Sequence, residues 1–368
     1  MVRIGIAGIG FIAEEYIKLI TAGRITGCVI RALSSRDAAR MESVRSAYSL
    51  NEAELYTDYE QMLASGRIDA VVICTPHLSH IKMAQAALEH GLHTLIEKPV
   101  GVFSDEAESL LQTIAAHPEL VSGVLYCRRA SQAFQALHKI VSSGQLGRLK
   151  RVNWLLTDQY RTPAYHRSKS WRSSWTGEGG GLLLNQASHH LDMLTWLLGE
   201  PERMQAFCSF GVERDIQVET DAVLHMSYPR GLTAQFISSS REFPGTNRLE
   251  LSGTKGQVIL ENDRHMIFRK LAVDEEEYAR TTDVGFGHIP VEETVSDFDD
   301  SDLTVMQAAI FNNFIRSVQG EEQILCPVPD AVQSLHLINA AYLSTWTEKA
   351  VTFPLDPQEF RSVWAKNT

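Results

Sequence analysis

The opening stretch VRIGIAGIGFIAEEYIKLI, residues 2–20, constrains the fold of this chain more than any other segment. A short apolar run leads into a turn of the form G-x-G-x-x-A, made by Gly8, Gly10 and Ala13, and then into a segment with helical spacing. Gly8 permits a tight turn, Gly10 lets a pyrophosphate approach the backbone, and Ala13 lets helix and strand pack closely. The helix opens at Phe11 and Ile12, where free backbone N–H groups point outward and favour an anion. A glycine pattern alone is weak, but here the flanking strand and helix are both legible, which is the setting the motif requires. The segment is therefore expected to bind a dinucleotide.

The strand–helix pattern repeats. CVIRALSS, DAVVIC and HTLIE read as strands, and DAARMESVRSAY and IKMAQAALEHG as helices. Such alternation indicates a parallel, doubly wound sheet, whose ligands bind beyond the carboxyl ends of the strands. That places Ser34, Ser35 and Arg36, then Thr75, Pro76 and His77 (with His80 just beyond), then Glu97, Lys98 and Pro99 on one rim with the glycine turn. A site that prefers NAD normally offers an acid at the end of the second strand, for the ribose diol. Here Ser35 and Arg36 occupy that place and would welcome a 2′-phosphate. Asp37 supplies the acid under a shifted register. The pattern favours NADP(H) over NAD(H).

At 368 residues the chain has room for a second domain, and 44% hydrophobic with 21% charged residues is ordinary for a globular protein. A net charge of −11 argues against nucleic acid or an anionic membrane as partner, while leaving room for a local basic pocket. No apolar run approaches membrane-spanning length. Five scattered cysteines without a C-x-x-C pair suggest buried free thiols in a reducing compartment. The first strand starts so near Met1 that no leader peptide is expected, and a cytoplasmic enzyme is the reading.

With this glycine turn, TPHLSH at 75–80, EKP at 97–99, and a glycine-led N-x-x-x-H-x-x-D formed by Asn185, His189 and Asp192, the chain resembles the Gfo/Idh/MocA oxidoreductases nearly end to end. This family includes inositol dehydrogenases, glucose–fructose oxidoreductase and sugar-nucleotide dehydrogenases. The resemblance implies an α/β Rossmann dinucleotide-binding domain over residues 1–127. It implies an α+β substrate-binding and oligomerisation domain over 128–368, with a large, open, mostly antiparallel sheet. It also implies a homodimer or homotetramer through one face of that sheet. The residues agree: LKRVNWLLTDQY, RMQAFCSFG, TDAVLHMSYP, GLTAQFISSS, NRLELSGTKG and QVILEND read as strands rich in β-branched and aromatic residues. Closing helices are expected at about 303–319 and 329–348, and the acidic stretch 271–302 as a solvated loop or excursion.

The resemblance assigns Lys98 three tasks: bonding the substrate hydroxyl, stabilising alkoxide-like charge, and holding the cofactor ribose. Glu97 would hold Lys98 by charge or bind the cofactor amide, and the bond before Pro99 would be cis. In GGGLLLNQASHHLD, residues 179–192, a helix starting near Leu182 would set Asn185, His189 and Asp192 along one polar stripe. His190 would then point about 100° away from His189. Two adjacent helical histidines cannot clamp one metal, and no third ligand stands at suitable spacing, so no metal is expected. His189 is the expected general acid–base, since imidazole titrates near neutrality. Asn185 stands where the resemblance places Asp; an amide can orient the imidazole or bond a hydroxyl but cannot ionise. Asp192 reads as structural, and the glycines as room for substrate and cofactor.

Arg128 or Arg129 matches a family arginine near the substrate. Tyr160, Arg161, Tyr165, His166, Trp171 and Arg172 crowd the segment before the glycines, and aromatic faces with arginine forks suit a polyhydroxylated or anionic ring. The expected activity is hydride transfer between NAD(P) and a secondary alcohol or keto group of a sugar, polyol or related metabolite. Lys98 and His189 would handle the hydroxyl proton. Two other activities share this fold: glycoside cleavage assisted by tightly held NAD, and ligand sensing without catalysis. The second goes with loss of the lysine or histidine, and both are present.

Overall fold

The computed structural model describes residues 1–368, in two compact units. Unit one comprises Met1–Ala130, Gly177–Gly179 and Asp302–Leu335; unit two comprises Ser131–Thr176, Gly180–Ser301 and His336–Thr368.

In unit one the chain runs β1 (Val2–Ala7), α1 (Phe11–Thr21), β2 (Cys28–Ser34), α2 (Ala38–Ala47), β3 (Glu54–Tyr56), α3 (Tyr59–Leu63), β4 (Ala70–Ile73), α4 (His80–Glu89), β5 (His93–Ile96), α5 (Ser104–Ala116) and β6 (Ser122–Val124). The six strands form one parallel sheet in the order β3-β2-β1-β4-β5-β6. The winding reverses between β1 and β4, so the turn after β1 opens at the crevice where such sheets bind ligands. Every residue of β4 is buried, as befits a central parallel strand covered on both faces.

Unit two contains α6 (Gln132–Ser142), β7 (Leu149–Leu156), α7 (Pro163–His166), α8 (Ser188–Leu198), β8 (Arg203–Phe210), β9 (Glu219–Ser227), β10 (Thr233–Ser239), β11 (Asn247–Gly253), β12 (Gly256–Glu261), β13 (His265–Leu271), α9 (Glu275–Thr281), β14 (Val291–Asp297) and β15 (Val351–Thr352). Its nine strands run in the order β14-β13-β12-β11-β7-β10-β9-β8-β15, antiparallel except for the β7–β10 pair. Strand alternation builds the core. Ala206, Leu224, Phe236, Trp154, Leu249 and Leu260 align across six strands on the buried face.

The stretch 271–302 is not a loop. It holds α9 and β14, and β14 pairs with β13 along its whole length. As an exposed edge strand it carries charge instead of an apolar face, with Glu293 bonded to Arg269 at 2.8 Å. That composition hid it.

The last helices are α10 (Leu303–Val318), α11 (Val328–Thr347) and α12 (Pro357–Asn367). Residues 302–335 pack with the amino-terminal segment, a return that a boundary after residue 127 does not contain. Phe311 of α10 is fully buried with its ring 5.5 Å from that of Tyr16 on α1. The Asn312 side chain accepts from the Thr26 N–H and donates to the Arg24 carbonyl, both at 2.9 Å. No helix is long and apolar enough to cross a membrane.

Candidate functional site

The glycine turn has the geometry its motif asks for. Gly8 has φ +86°, and a Cβ there would lie 2.7 Å from the Cys74 carbonyl oxygen. A Cβ on Gly10 would meet nothing within 4 Å, so the space above the turn is open. Gly10 also caps α1 without a side-chain bond, leaving the N–H groups of Phe11, Ile12 and Ala13 at an uncapped helix start. Ala13 is fully buried and Phe11 is exposed. These residues fit a pyrophosphate.

Around the rim, Asp37 is committed to capping α2, its carboxylate accepting from the Arg40 N–H at 2.9 Å. Ser35 accepts from the Asp37 N–H at 3.2 Å, and Arg36 is exposed. The Thr75 hydroxyl accepts from Ser79 at 2.8 Å, Pro76 is exposed, and His77 Nδ1 lies 2.9 Å from the Glu178 carbonyl. His80 differs from its expected role as a cofactor contact. It is fully buried, with Nδ1 2.8 Å from the Pro99 carbonyl and Nε2 2.7 Å from that of Thr75. Burial holds its pKa below the ordinary value. Both ring nitrogens face backbone, so His80 joins the Thr75–Pro76 turn to the Lys98–Pro99 turn.

Lys98 follows β5, and the Lys98–Pro99 bond is cis. Glu97 is buried; it accepts from the Tyr16 hydroxyl at 2.5 Å and from the Lys98 backbone N–H at 3.0 Å. Burial raises its pKa, against the opposing pull of Tyr16 and Lys98. Glu97 thus fixes the backbone that carries Lys98, and Tyr16, which sequence reasoning passed over, fixes Glu97. Of the paired arginines, Arg129 is fully buried and bonded to Asp330 at 2.8 Å and to the Leu325 carbonyl at 3.2 Å. Arg128 is partly exposed and remains the candidate.

In unit two the glycines provide close packing instead of room for ligands. A Cβ on Gly180 would come within 2.6 Å of the Tyr342 hydroxyl, and one on Gly181 within 2.8 Å of the Glu219 carbonyl oxygen. The Glu219 carboxylate anchors the turn, accepting from Gly181 N–H at 3.1 Å, Leu183 N–H at 2.7 Å and the Tyr342 hydroxyl at 2.8 Å. Burial pushes its pKa up to about 7. No local pattern announced Glu219 or Tyr342, which lie far apart along the chain.

The segment after the glycines is not one regular helix. Leu182–Gln186 form a wide π turn, closed by Ala187 N–H to the Leu182 carbonyl at 2.8 Å, and α8 begins at Ser188. Asn185 sits in the wide turn and His189 on α8, so the expected regular stripe does not hold. The two histidines do part company. His189 is partly exposed, whereas His190 is buried with Nε2 3.2 Å from Asp263 and its ring edge-on to Trp154 at 5.2 Å. Asp192 is fully buried. No group of three or more His, Cys, Asp or Glu side chains converges in a way that could hold a metal ion.

The aromatic–arginine segment does assemble. The Tyr165 hydroxyl receives the Arg172 guanidinium, the Gln186 amide at 3.1 Å and the Asn185 amide at 3.4 Å. Arg172 lies 4.3 Å over the Tyr165 ring and 5.0 Å over Trp171. Arg161 also lies over the Tyr165 ring, 5.2 Å from its centroid, and Arg214 sits 5.9 Å over Tyr160. Tyr160, Tyr165, Trp171 and Arg172 therefore form one wall with Asn185; Arg214, from a distant loop, was not foreseen.

Residues 2–123 match the family model described as oxidoreductase family, NAD-binding Rossmann fold, and residues 134–259 match the GFO/IDH/MocA C-terminal domain. The chain is 24% identical over 357 residues to inositol 2-dehydrogenase of Rhizobium meliloti, covering 95% of this chain and 99% of that protein. Among solved structures, the WlbA dehydrogenase of Bordetella pertussis in complex with NADH and UDP-GlcNAcA superposes with TM-score 0.77 at 22% identity, covering 96% of this chain and 99% of that one. Levoglucosan dehydrogenase in complex with NADH and levoglucosan does so with TM-score 0.80 at 18% identity, again over 96% and 99%.

Proposed function

We propose, from the premise that this chain belongs to the Gfo/Idh/MocA oxidoreductase family, that it oxidises a secondary alcohol of a sugar or polyol, or reduces the matching ketone. The observation that carries the reading is the uncapped start of α1 beneath open space at Gly10, on the same sheet rim as Lys98. Relatives named for inositol and levoglucosan support the substrate class.

A bound nicotinamide cofactor supplies hydride acceptance or donation. This chain's residues do the rest. The N–H groups of Phe11, Ile12 and Ala13 hold the pyrophosphate, and Thr75 and Pro76 line the rim. Lys98 donates to the substrate oxygen and stabilises its negative charge, held in place by Glu97 through the Lys98 N–H. His189 takes up or returns the hydroxyl proton. Asn185 bonds a substrate hydroxyl, beside Tyr160, Tyr165, Trp171 and Arg172, with Arg128 as a further substrate contact. Ser35 and the exposed Arg36 support NADP(H) over NAD(H), because Asp37 is occupied by its cap. The enzyme is read as cytoplasmic and as a homodimer or homotetramer through the nine-stranded sheet.

The test is turnover of a panel of sugars, inositols and keto-sugars with both cofactors, followed by Lys98→Met and His189→Ala. Each substitution is expected to lower kcat by at least a hundredfold, the scale of a general acid–base contribution, with cofactor affinity changed less than threefold. Full turnover in either variant ends this mechanism.

A further inference from the structure

We propose that unit two contains an anion subsite and that the substrate is a sugar or polyol bearing a carboxylate or phosphate, held by Arg172, Arg214 and His166. The substrate assignment rests on the dehydrogenase reading above; the anion site does not.

The chain has 45 acidic residues against 34 basic ones, so carboxylates are in ample supply for its arginines. Arg241, close by, takes Asp221 at 2.7 Å and Glu213 at 3.0 Å. The three arginines of the aromatic wall bond only neutral oxygens. Arg161 donates to the carbonyls of Gln159 at 3.2 Å and Tyr160 at 2.9 Å. Arg214 donates to the carbonyls of Arg161 at 3.2 Å and Glu213 at 2.8 Å, and Arg172 donates to the Tyr165 hydroxyl.

Two buried nitrogens support the same reading. Arg172 Nε and His166 Nε2 are buried and have no hydrogen-bond partner. Leaving such groups unsatisfied is destabilising, more so for a charged group. His166 is oriented by Ser173, whose hydroxyl lies 2.7 Å from Nδ1. Burial, then the charges of Arg214, Arg161 and Arg172, hold the imidazole pKa below its ordinary value. That is the signature of a cationic cluster without its counter-ion. The cluster borders a cavity of about 390 Å³, whose walls include His166, Arg167, Arg172, Ser173 and Arg214, with exposed Asp215 as its one carboxylate. Guanidinium forks bind carboxylate and phosphate oxygens in pairs. Tyr165 connects this cluster to Asn185, placing the anion beside the proposed hydroxyl contact.

The test is calorimetric titration of the full chain with inorganic phosphate, D-glucuronate and uncharged D-glucose, in wild type and in R172A, R172K and R214A. The expected result is at least tenfold tighter binding of an anion than of D-glucose, and at least a tenfold loss of anion affinity in R172A and R214A. R172K, which keeps the charge but not the fork, should fall between; it and R214A carry the comparison if R172A does not fold. Phosphate binding without glucuronate binding, or the reverse, names the group. Anions no tighter than D-glucose, or equal anion affinity in all four proteins, overturns the subsite. Arginine-dependent anion binding with no turnover of any sugar would sink the dehydrogenase reading and leave the subsite standing. Turnover of sugars in a protein that binds anions no more tightly than D-glucose would do the opposite.

Discussion

Arg36 and Asp37 are neighbours with different tasks, and the difference is a single hydrogen bond. The Asp37 carboxylate closes the first turn of α2 through the Arg40 N–H, while Arg36 stays in solvent. An N-cap of this kind is worth roughly 0.5–2 kcal/mol, so α2 resists giving the acid up to a ribose. Arg36→Glu is expected to lower kcat/KM for NADP(H) at least tenfold while NAD(H) changes less than threefold, measured by initial rates with each cofactor. An unchanged ratio would remove the 2′-phosphate role. The histidines give a second lesson at this scale. His77, His80, His189 and His190 look alike in the sequence, yet only tertiary surroundings separate the two-carbonyl clasp of His80 and the Asp263-bound His190 from the partly exposed His189.

At the scale of elements, the π turn and α8 depend on a residue outside both. Glu219, at the first position of β9, receives three donors and holds Gly181 and Leu183 where the turn begins. Its folded-state pKa of about 7 lies above the ordinary carboxylate value of 4.5 because it is buried. The folded protein therefore binds more protons than the unfolded chain between those values, and Glu219's contribution to stability falls as pH rises through about 7. Glu219→Gln would set an amide against the Gly181 N–H and cost roughly 1–3 kcal/mol. In thermal melts the variant should be less stable at pH 5, and its deficit should shrink toward pH 8, because it no longer ionises. A deficit independent of pH would show that Glu219 does not titrate in this range. Helical spacing could not reveal the wide turn, since the cause of the irregularity lies on β9 and α11.

At the scale of the molecule, the outer face of the nine-stranded sheet bears an apolar row. Phe207, Val223, Ile237 and Leu155 stand in register on β8, β9, β10 and β7. Phe207, Val223 and Leu155 are 65%, 41% and 37% exposed. The parallel row Gln205, His225, Gln235 and Asn153 beside it is polar. A contiguous apolar stripe with a polar rim is what a second copy would cover. Phe207→Asp is expected to reduce the proposed oligomer to monomers in light scattering after gel filtration, with an unchanged circular dichroism spectrum. A wild-type monomer at micromolar concentration, or a variant of unaltered mass, would exclude this face.

Local periodicity was enough to establish the parallel sheet with its glycine turn, the run of antiparallel strands and the place of Glu97 and Lys98 just beyond β5. Strand alternation and glycine geometry act over a few residues, and a sequence records them directly. It did not reveal the edge strand β14, whose charged residues suit solvent, or the return of residues 302–335 to unit one. The same is true of the partners that meet from afar: Tyr16 with Glu97, Glu219 with Tyr342, and Arg214 with the wall built on Tyr165. Those pairings depend on burial and on which backbone groups were left needing a partner, and both arise only once the chain has closed on itself. The doubled histidine shows the division most plainly. Adjacency in a helix already required His189 and His190 to face different ways, but only the closed fold, by setting Asp263 and Trp154 against His190, decided which one stayed exposed.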